Sequence, residues 1–184
     1  MQSEAMSETL SIEEDALKRA QSGDQEAFRV LVELHYEKVF AMELRQVRDR
    51  SVAEELTQEI FVKAFKSIGS FRHQAKFSTW LTRIAFNHTS SYFKSRRFKE
   101  SKKTVSLLED NLASSEDPQT EELINRLNFF ITKLAPHHRE VLILCAMEGR
   151  TYEEAAKVLA IPIGTIRSRM NTAIKNLKRN FWNS

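Results

Sequence analysis

The stretch TYEEAAKVLAIPIGTIRSRMNTAIKNL, Thr151 to Leu177, predicts two short helices joined by a tight turn. Thr151 and Glu154 form a Ser/Thr-x-x-Glu capping box, so the first helix is predicted to begin at Tyr152. Pro162 lies in the turn, where it disfavours helical geometry at the preceding residue and suits the start of the next helix. Two short helices around such a turn are a common DNA-reading arrangement.

Apolar residues define the inner sides of both helices. Ala155, Ala156 and Leu159 lie on the inner side of the first, and the two alanines are small enough to let the second helix cross closely. On a wheel of about 100° per residue, five positions of the second helix fall on one side. They form its predicted buried face: Ile166, Met170, Ala173, Ile174 and Leu177.

The opposite face of the second helix is polar and basic. It carries Thr165, Ser168, Asn171, Thr172 and Lys175. Arg167 and Arg169 flank it, with a reach that suits phosphates or the guanine acceptors of a major groove. No acidic residue occurs from Ala155 to Ser184. A solvated basic helix in a structural bundle is the alternative, but the turn, the small residues and the basic face together favour a DNA reader.

Composition indicates an all-helical chain. With 184 residues, 41% of them hydrophobic, it can bury one sizeable core or two small ones. Only four glycines and three prolines are present, which is few for a sheet protein with many turns. Apolar residues recur at spacings of three and four rather than two, as in amphipathic helices.

Charge is segregated along the chain. Residues 76–103 contain eight cations and one acid, whereas residues 105–122 contain six acids and no cation. This pattern predicts two nucleic-acid surfaces and a connector that binds none. We therefore expect two small helical domains, at 11–98 and 119–184, joined by a flexible linker at 99–118.

No feature of the sequence predicts export. The N-terminus has no apolar core for a signal peptide, and the apolar run Val141 to Met147 is too short to span a bilayer. The only cysteine, Cys145, lies in that run and is interpreted as a small buried hydrophobe. The expected compartment is the cytoplasm. The short polar tail ends near Leu10, and Met6 is an alternative start to Met1.

A second helix with two different faces is predicted after residue 50. Ser51 and Glu54 read as another capping box, opening a helix to about Ile68. Its core stripe is Leu56, Ile60, Ala64 and Phe65. The other face is acidic with an apolar border and comprises Glu54, Glu55, Gln58, Glu59, Phe61 and Val62. It is either an ordinary solvated face or a docking surface for a protein partner.

Aromatic and cationic residues alternate in the next segment, Ser67 to Arg97. The rings are Phe71, Phe77, Trp80, Phe86, Tyr92 and Phe93, and the cations are Arg72, Lys76, Arg83, Lys94, Arg96 and Arg97. Some rings must be core, because Phe77 and Trp80 share a helical spacing with neighbouring apolar residues. The mixture nevertheless suits single-stranded nucleic acid, in which bases stack on rings and cations contact the backbone.

Two long motifs in this order resemble the bacterial sigma-70 family of RNA polymerase sigma factors, in its extracytoplasmic function (ECF) subgroup. AEELTQEIFVKAFKSIGSFRHQAKFSTWLTRIAFN, Ala53 to Asn87, resembles region 2 of the family. LAPHHREVLILCAMEGRTYEEAAKVLAIPIGTIRSRMNTAIKNL, Leu134 to Leu177, resembles region 4. With the linker, the resemblance extends from about Ala16 onward.

The resemblance implies that the candidate residues form three binding surfaces. It implies that the chain binds core RNA polymerase, through the β′ clamp helices and the β flap, and directs it to promoter DNA. The β′ contact would be made by Glu54, Glu55, Gln58, Glu59 and Phe61. The minus 10 element would be taken and melted by Phe71, Arg72, Phe77, Trp80, Arg83 and Asn87. The minus 35 element would be read as duplex by Thr165, Arg167, Ser168, Arg169, Asn171 and Lys175. The resemblance also implies a cognate anti-sigma factor.

The sequence departs from the family pattern at three positions. Phe86 and Thr172 stand where many relatives carry Arg, and Ser91 stands where many carry Asp. The changes at Phe86 and Ser91 bear on minus 10 recognition, and Thr172 removes one expected phosphate contact.

No enzyme motif is found in the sequence. It lacks a Gly-rich phosphate loop, a His-Glu-x-x-His pair, a cysteine cluster and a Gly-x-Ser-x-Gly elbow. We therefore expect no catalytic residue, metal, cofactor or small-molecule substrate. Two other functions stay open on the residues: a stand-alone helix-turn-helix regulator, and an adaptor or anti-sigma protein that binds polymerase but not promoter DNA.

Overall fold

The computed structural model describes residues 2–95 and 118–182, and the regular elements in these ranges are helices. The N-terminal half consists of α1 Gln2–Gln21, α2 Gln25–Val47, α3 Arg50–Ser67 and α4 Phe77–Lys94, with a 3-10 turn at Ile68–Ser70. The C-terminal half consists of α5 Pro118–Lys133, α6 Pro136–Leu142, α7 Tyr152–Leu159 and α8 Ile163–Trp182, with a π-helical segment at Ile143–Met147. The all-α prediction is confirmed. Apart from Pro118, the predicted linker lies outside the described residues.

Two predicted helix starts were wrong. The polar tail expected to end near Leu10 belongs to α1. The N-cap of α3 is Asp49, whose Oδ1 accepts from the Val52 amide at 3.0 Å, rather than Ser51. A cap at Asp49 puts Glu54 five residues into the helix, too far for a capping box, and Glu54 instead pairs with Arg50 at 3.1 Å.

The helix-turn-helix forms as predicted. The Thr151 hydroxyl accepts from the Glu154 amide at 3.2 Å, and the Glu154 carboxylate accepts from the Thr151 amide at 2.9 Å. Ala160 ends α7 in a left-handed conformation, with φ of 53°. The Pro162 carbonyl then accepts from two amides in the first turn of α8. The predicted buried face of α8 was wrong at one residue, because Ile174 is 38% exposed. It lies about 80° from Ile166 on the helical wheel, beyond the cover of the neighbouring helices.

Buried apolar residues of both halves form one continuous cluster. The predicted stripe of α3 contributes Ile60 and Ala64, both fully buried, and half-buried Phe65 packs against the cluster. Leu56 of the same stripe is also buried, at 2% exposure, but lies outside this cluster. From the C-terminal half, Val158 and Ile166 are fully buried. Helix packing of this kind supplies most of the stability of helices too short to persist alone.

Polar groups also join the two halves, and Arg139 at the centre of the contact is only 2% exposed. Its Nη1 donates to the Gln46 carbonyl at 2.8 Å, and its guanidinium lies 4.5 Å from the centre of the Phe93 ring. Within its own half it donates to three carbonyls at the end of α5, those of Ile131, Thr132 and Leu134. Burial lowers the pKa of Arg139 to about 10. One side chain therefore terminates α5 and fastens the C-terminal half to α2 and α4.

Candidate nucleic-acid interfaces

The outer face of α8 presents the predicted duplex-reading residues. Arg167, Ser168, Asn171 and Lys175 are exposed, and Thr165 and Arg169 are half-buried. The Ser168 hydroxyl donates to the Thr165 carbonyl at 3.0 Å, and the Thr172 hydroxyl donates to the Ser168 carbonyl at 3.0 Å. Because those hydrogens are used inside the helix, the exposed donors of the predicted set are on Arg167, Asn171 and Lys175, and Arg169 is a half-buried donor beside them.

Arg169 lies among titratable groups at the start of α6. Burial lowers the pKa values of His137 and His138, and the positive charge of Arg169 lowers both further. Glu140 is buried and accepts a hydrogen bond from Ser90 of α4, and its pKa is raised because burial outweighs that bond and the attraction of Arg169. The lowered pKa values favour the neutral form of both histidines, so they add little positive charge beside the outer face of α8.

The predicted minus 10 residues divide between surface and core. Arg72, Arg83 and Asn87 are exposed and Trp80 is half-buried, whereas Phe71 and Phe77 are only 5% and 3% exposed. Phe71, Phe77 and Trp80 form a three-ring cluster with centres 5.4 to 5.9 Å apart. In this conformation the two phenylalanines support the loop and α4 from beneath and do not offer their rings to a base.

Gln21 at the end of α1 holds the loop between α3 and α4. Its amide donates to the Phe71 carbonyl at 2.7 Å and to the Ile68 carbonyl at 3.3 Å. Its Oε1 lies 3.0 Å from Nε2 of His73, which has a left-handed φ of 54°. Sequence reasoning missed Gln21, because its partners are about 50 residues away and a glutamine at a helix end carries no local signal.

The acidic face of α3 is largely accessible. Glu55, Gln58 and Glu59 are exposed, and Glu54 is half-buried. Phe61 is different, because it is 6% exposed and its ring stacks on Tyr36 with centres 6.2 Å apart. The apolar residue at the surface is instead Val62, at 53% exposure. The predicted polymerase-binding set therefore comprises four polar residues at the surface and one core ring.

A buried carboxyl group lies between α2 and α4. Glu43 is fully buried, and it accepts from the Thr89 hydroxyl at 2.6 Å and from the Gln46 amide at 3.1 Å. Burial raises its pKa to about 8, against the opposing effect of the Thr89 bond. Glu43 is therefore mostly protonated at neutral pH. Sequence analysis missed it, because one glutamate on a helix gives no sign of burial.

The three departures from the family pattern differ in their surroundings. Phe86 is 2% exposed and packs in the core rather than facing outward. Ser91 is exposed, and its hydroxyl donates to the Asn87 carbonyl at 2.8 Å. Thr172 is exposed on the outer face of α8. At Phe86 the chain has an apolar contact where many relatives carry a cation.

Comparisons with known proteins match both halves of the chain. The family model for Sigma-70 region 2 matches residues 31–99, and that for Sigma-70, region 4 matches residues 130–179. RNA polymerase sigma-H factor of Pseudomonas aeruginosa is 32% identical over 86% of this chain and 88% of its own length. ECF RNA polymerase sigma-E factor of Escherichia coli K12 is 31% identical over 90% of this chain and 91% of its own length.

Solved structures share the fold. CnrH, in complex with the cytosolic domain of CnrY, superposes with a TM-score of 0.65 at 22% identity, covering 94% of this chain and 99% of that one. The sigma factor RpoE of Bartonella quintana, in complex with the anti-sigma factor NepR, gives 0.63 at 24% identity, covering 83% of this chain and 94% of that one.

Two helical halves, the first matching region 2 and the second matching region 4 and containing a helix-turn-helix, define a promoter-recognition subunit. The chain belongs to the sigma-70 family of RNA polymerase sigma factors, in its ECF subgroup. It is an alternative sigma factor that directs promoter-specific transcription initiation, and core RNA polymerase and promoter DNA are its partners. The match over both halves does not favour a stand-alone regulator.

Within residues 2–95 and 118–182, no helix has both the length and the apolar character needed to cross a bilayer. In the same ranges, no three His, Cys, Asp or Glu side chains are grouped so as to hold a metal ion.

Proposed function

We propose that the chain divides its work among three surfaces, reading the minus 35 element with α8, the minus 10 element with α4 and its preceding loop, and core polymerase with α3. The observation that carries this assignment is the pair of separate polar faces. Arg167, Asn171 and Lys175 are exposed on α8, and Arg83 and Asn87 are exposed on α4. The chain segments with these functions are residues 11–98 and 119–184, with 99–118 as connector.

At the minus 35 element, the outer face of α8 enters the major groove. Arg167 and Asn171 are one turn apart and can reach base edges, and Lys175 is placed one further turn along for a phosphate. Arg169 and Thr165 border this face. Ser168 takes part as an acceptor, because its hydroxyl hydrogen is already donated to the Thr165 carbonyl.

At the minus 10 element, direct contacts come from Arg72, Trp80, Arg83 and Asn87. Phe71 and Phe77 take a supporting part, because both are buried beneath the loop. Gln21 fixes the loop backbone through the Phe71 and Ile68 carbonyls, and so keeps the base-binding surface in one conformation. Such preorganisation lowers the entropic cost of ordering a strand on the protein.

Polymerase is bound by the acidic face of α3, with Glu54, Glu55, Gln58 and Glu59 against the β′ clamp helices. Phe61 stabilises this face from within by stacking on Tyr36. The C-terminal half would contact the β flap. We further infer a cognate anti-sigma factor, as CnrY and NepR are found with the solved relatives. The protein acts in the cytoplasm as a specificity subunit and not as an enzyme, because catalysis belongs to polymerase.

The decisive experiment is transcription in vitro with purified core polymerase and a genomic promoter pool. Added protein should produce specific transcripts that core polymerase alone does not make. Failure to produce any specific transcript would refute the proposal. Once a promoter is in hand, Arg167→Ala and Arg169→Ala should weaken duplex binding, by about 1–3 kcal/mol where a base contact is lost. Unchanged binding by both would remove α8 as the reader.

The minus 10 surface has a separate test. Asn87→Ala should lower open-complex formation and leave core binding intact, since the Asn87 side chain is exposed on α4 and is not part of the acidic face of α3. Permanganate footprinting measures the unpaired thymines directly. Asn87→Ala footprints equal to wild type at every promoter tested would contradict the assignment. Phe71→Ala should also lower open-complex formation, because the buried ring supports the loop.

A further inference from the structure

The charge of α3 changes sign along its length. Its first three turns carry Glu54, Glu55 and Glu59 against the single cation Arg50, and its last two turns carry Lys63 and Lys66, both exposed. The acidic half is the proposed polymerase surface, whereas the basic half has no assigned role. A side chain from α4 lies at the boundary between the two.

That side chain is His88, whose ring bridges Glu59 and Lys63 of α3. Its Nε2 lies 2.7 Å from Oε2 of Glu59, and its Nδ1 lies 2.5 Å from Nζ of Lys63. An ammonium group can only donate, so Nδ1 accepts and the ring proton is on Nε2, which donates to the carboxylate. The His88 side chain is 11% exposed, so it is held in place by its surroundings.

The bridge keeps two opposite charges apart. Glu59 and Lys63 are four residues apart on one helix, a spacing at which glutamate and lysine ordinarily pair directly. With the imidazole between them, the Lys63 ammonium and the Glu59 carboxylate form no direct ion pair, and Lys63 has two N–H donors beyond its bond to Nδ1. Its ammonium is anchored to the residue that follows Asn87, beside the exposed face of α4.

We propose that Lys63 binds a backbone phosphate of the promoter DNA that engages α4, and that His88 is the positioning residue that keeps Lys63 available for it. The ligand class is a DNA phosphate, because one compact ammonium offers charge and no base-specific pattern. The inference rests on the proposed minus 10 function of α4. It extends the nucleic-acid surface onto α3 and gives the two halves of that helix different partners.

The test is the salt dependence of promoter binding by the complete holoenzyme, on the strongest promoter recovered from the genomic pool. Lys63→Met should reduce the slope of log K against log salt concentration by about 0.7 to 0.9, the value for one phosphate. Its deficit relative to wild type should therefore shrink about threefold between 50 and 200 mM salt. Lys18→Met, at an exposed lysine of α1, is the matched control and should leave the slope unchanged.

Two substitutions of His88 test the positioning role. In His88→Leu the bridge is lost, Lys63 is released to pair with Glu59, and the slope should fall as in Lys63→Met. In His88→Gln the amide can accept from Lys63 and donate to Glu59, so the slope should return toward wild type. A purely structural role would alter melting temperature and not the salt slope.

The outcomes distinguish failure of the Lys63 and His88 roles from failure of the proposed promoter-binding function. A wild-type slope in Lys63→Met would overturn the phosphate contact, and a wild-type slope in His88→Leu would overturn the positioning role. If the wild-type holoenzyme itself makes no specific promoter complex, the proposed function fails instead. Lys63 is exposed, so Lys63→Met should fold normally, and its thermal melt checks this.

Discussion

Replacement of Arg139 tests whether one buried guanidinium holds the two halves together. Arg139 donates to four backbone carbonyls, three at the end of α5 and one, that of Gln46, in α2. Arg139→Ala leaves these carbonyls without that donor and removes the contact with the Phe93 ring. We expect both the terminus of α5 and the contact between the halves to weaken.

The expected loss of unfolding free energy in Arg139→Ala follows from two opposing contributions. Four hydrogen bonds from a charged donor, at the low end of about 1.5 kcal/mol each, give about 6 kcal/mol. The burial that lowers the pKa of the Arg139 guanidinium to about 10 costs the charged form about 3 kcal/mol. The difference predicts that Arg139→Ala lowers the free energy of unfolding by about 3 kcal/mol. For a small domain that is a large share of the total.

Urea denaturation followed by circular dichroism measures this quantity, with the m-value checked for two-state behaviour. Arg126→Ala is the control, because Arg126 is exposed and also contacts both a backbone carbonyl and a ring, those of Phe181. It should cost less than about 1 kcal/mol. If Arg139→Ala costs no more than Arg126→Ala, the reasoning that the carbonyl bonds outweigh the desolvation is refuted.

Three other predictions concern single groups. The pKa of Glu43 rises from 4.5 in the unfolded chain to about 8 in the folded protein, so the folded protein holds an extra proton between these pH values. The free energy of unfolding therefore falls as pH rises through this window, by up to about 1.4 kcal/mol per pH unit. Glu43→Gln should flatten the matching decline in melting temperature, and an unchanged profile would contradict the burial of the carboxyl group. Thr151→Ala should cost about 1 kcal/mol through loss of the capping box, with Thr151→Ser near wild type in urea midpoint; equal midpoints for Ala and Ser would show that the cap contributes nothing. Burial raises the pKa of the Cys145 thiol, so reaction with a disulfide reagent at pH 8 should be slow in the native protein and fast in urea; equal rates would mean that the thiol is accessible.

Local signals predicted the local structure well. The capping box, Pro162 and the apolar spacing of Thr151 to Leu177 act within a few residues, and the observed helices α7 and α8 begin where these signals place them. The failure at Ser51 has the same origin, because Asp49 competed for the same cap and a carboxylate two residues earlier started the helix sooner.

Long-range contacts were beyond sequence reasoning. Gln21 holding the Phe71 carbonyl, Arg139 reaching Gln46, and Glu43 paired with Thr89 each join residues more than 45 positions apart. No periodicity identifies such partners. The same limit explains why exposed and buried members of one candidate surface could not be separated in advance, since the burial of a ring depends on what packs over it.

The continuous core has a consequence for how the chain behaves as a whole. Because apolar side chains from both halves are buried in one cluster, folding of α8 is thermodynamically linked to folding of α3. We expect the free chain to melt as a single cooperative unit rather than as two independent ones. Either half produced alone would expose to water the apolar face that the other half covers in this cluster.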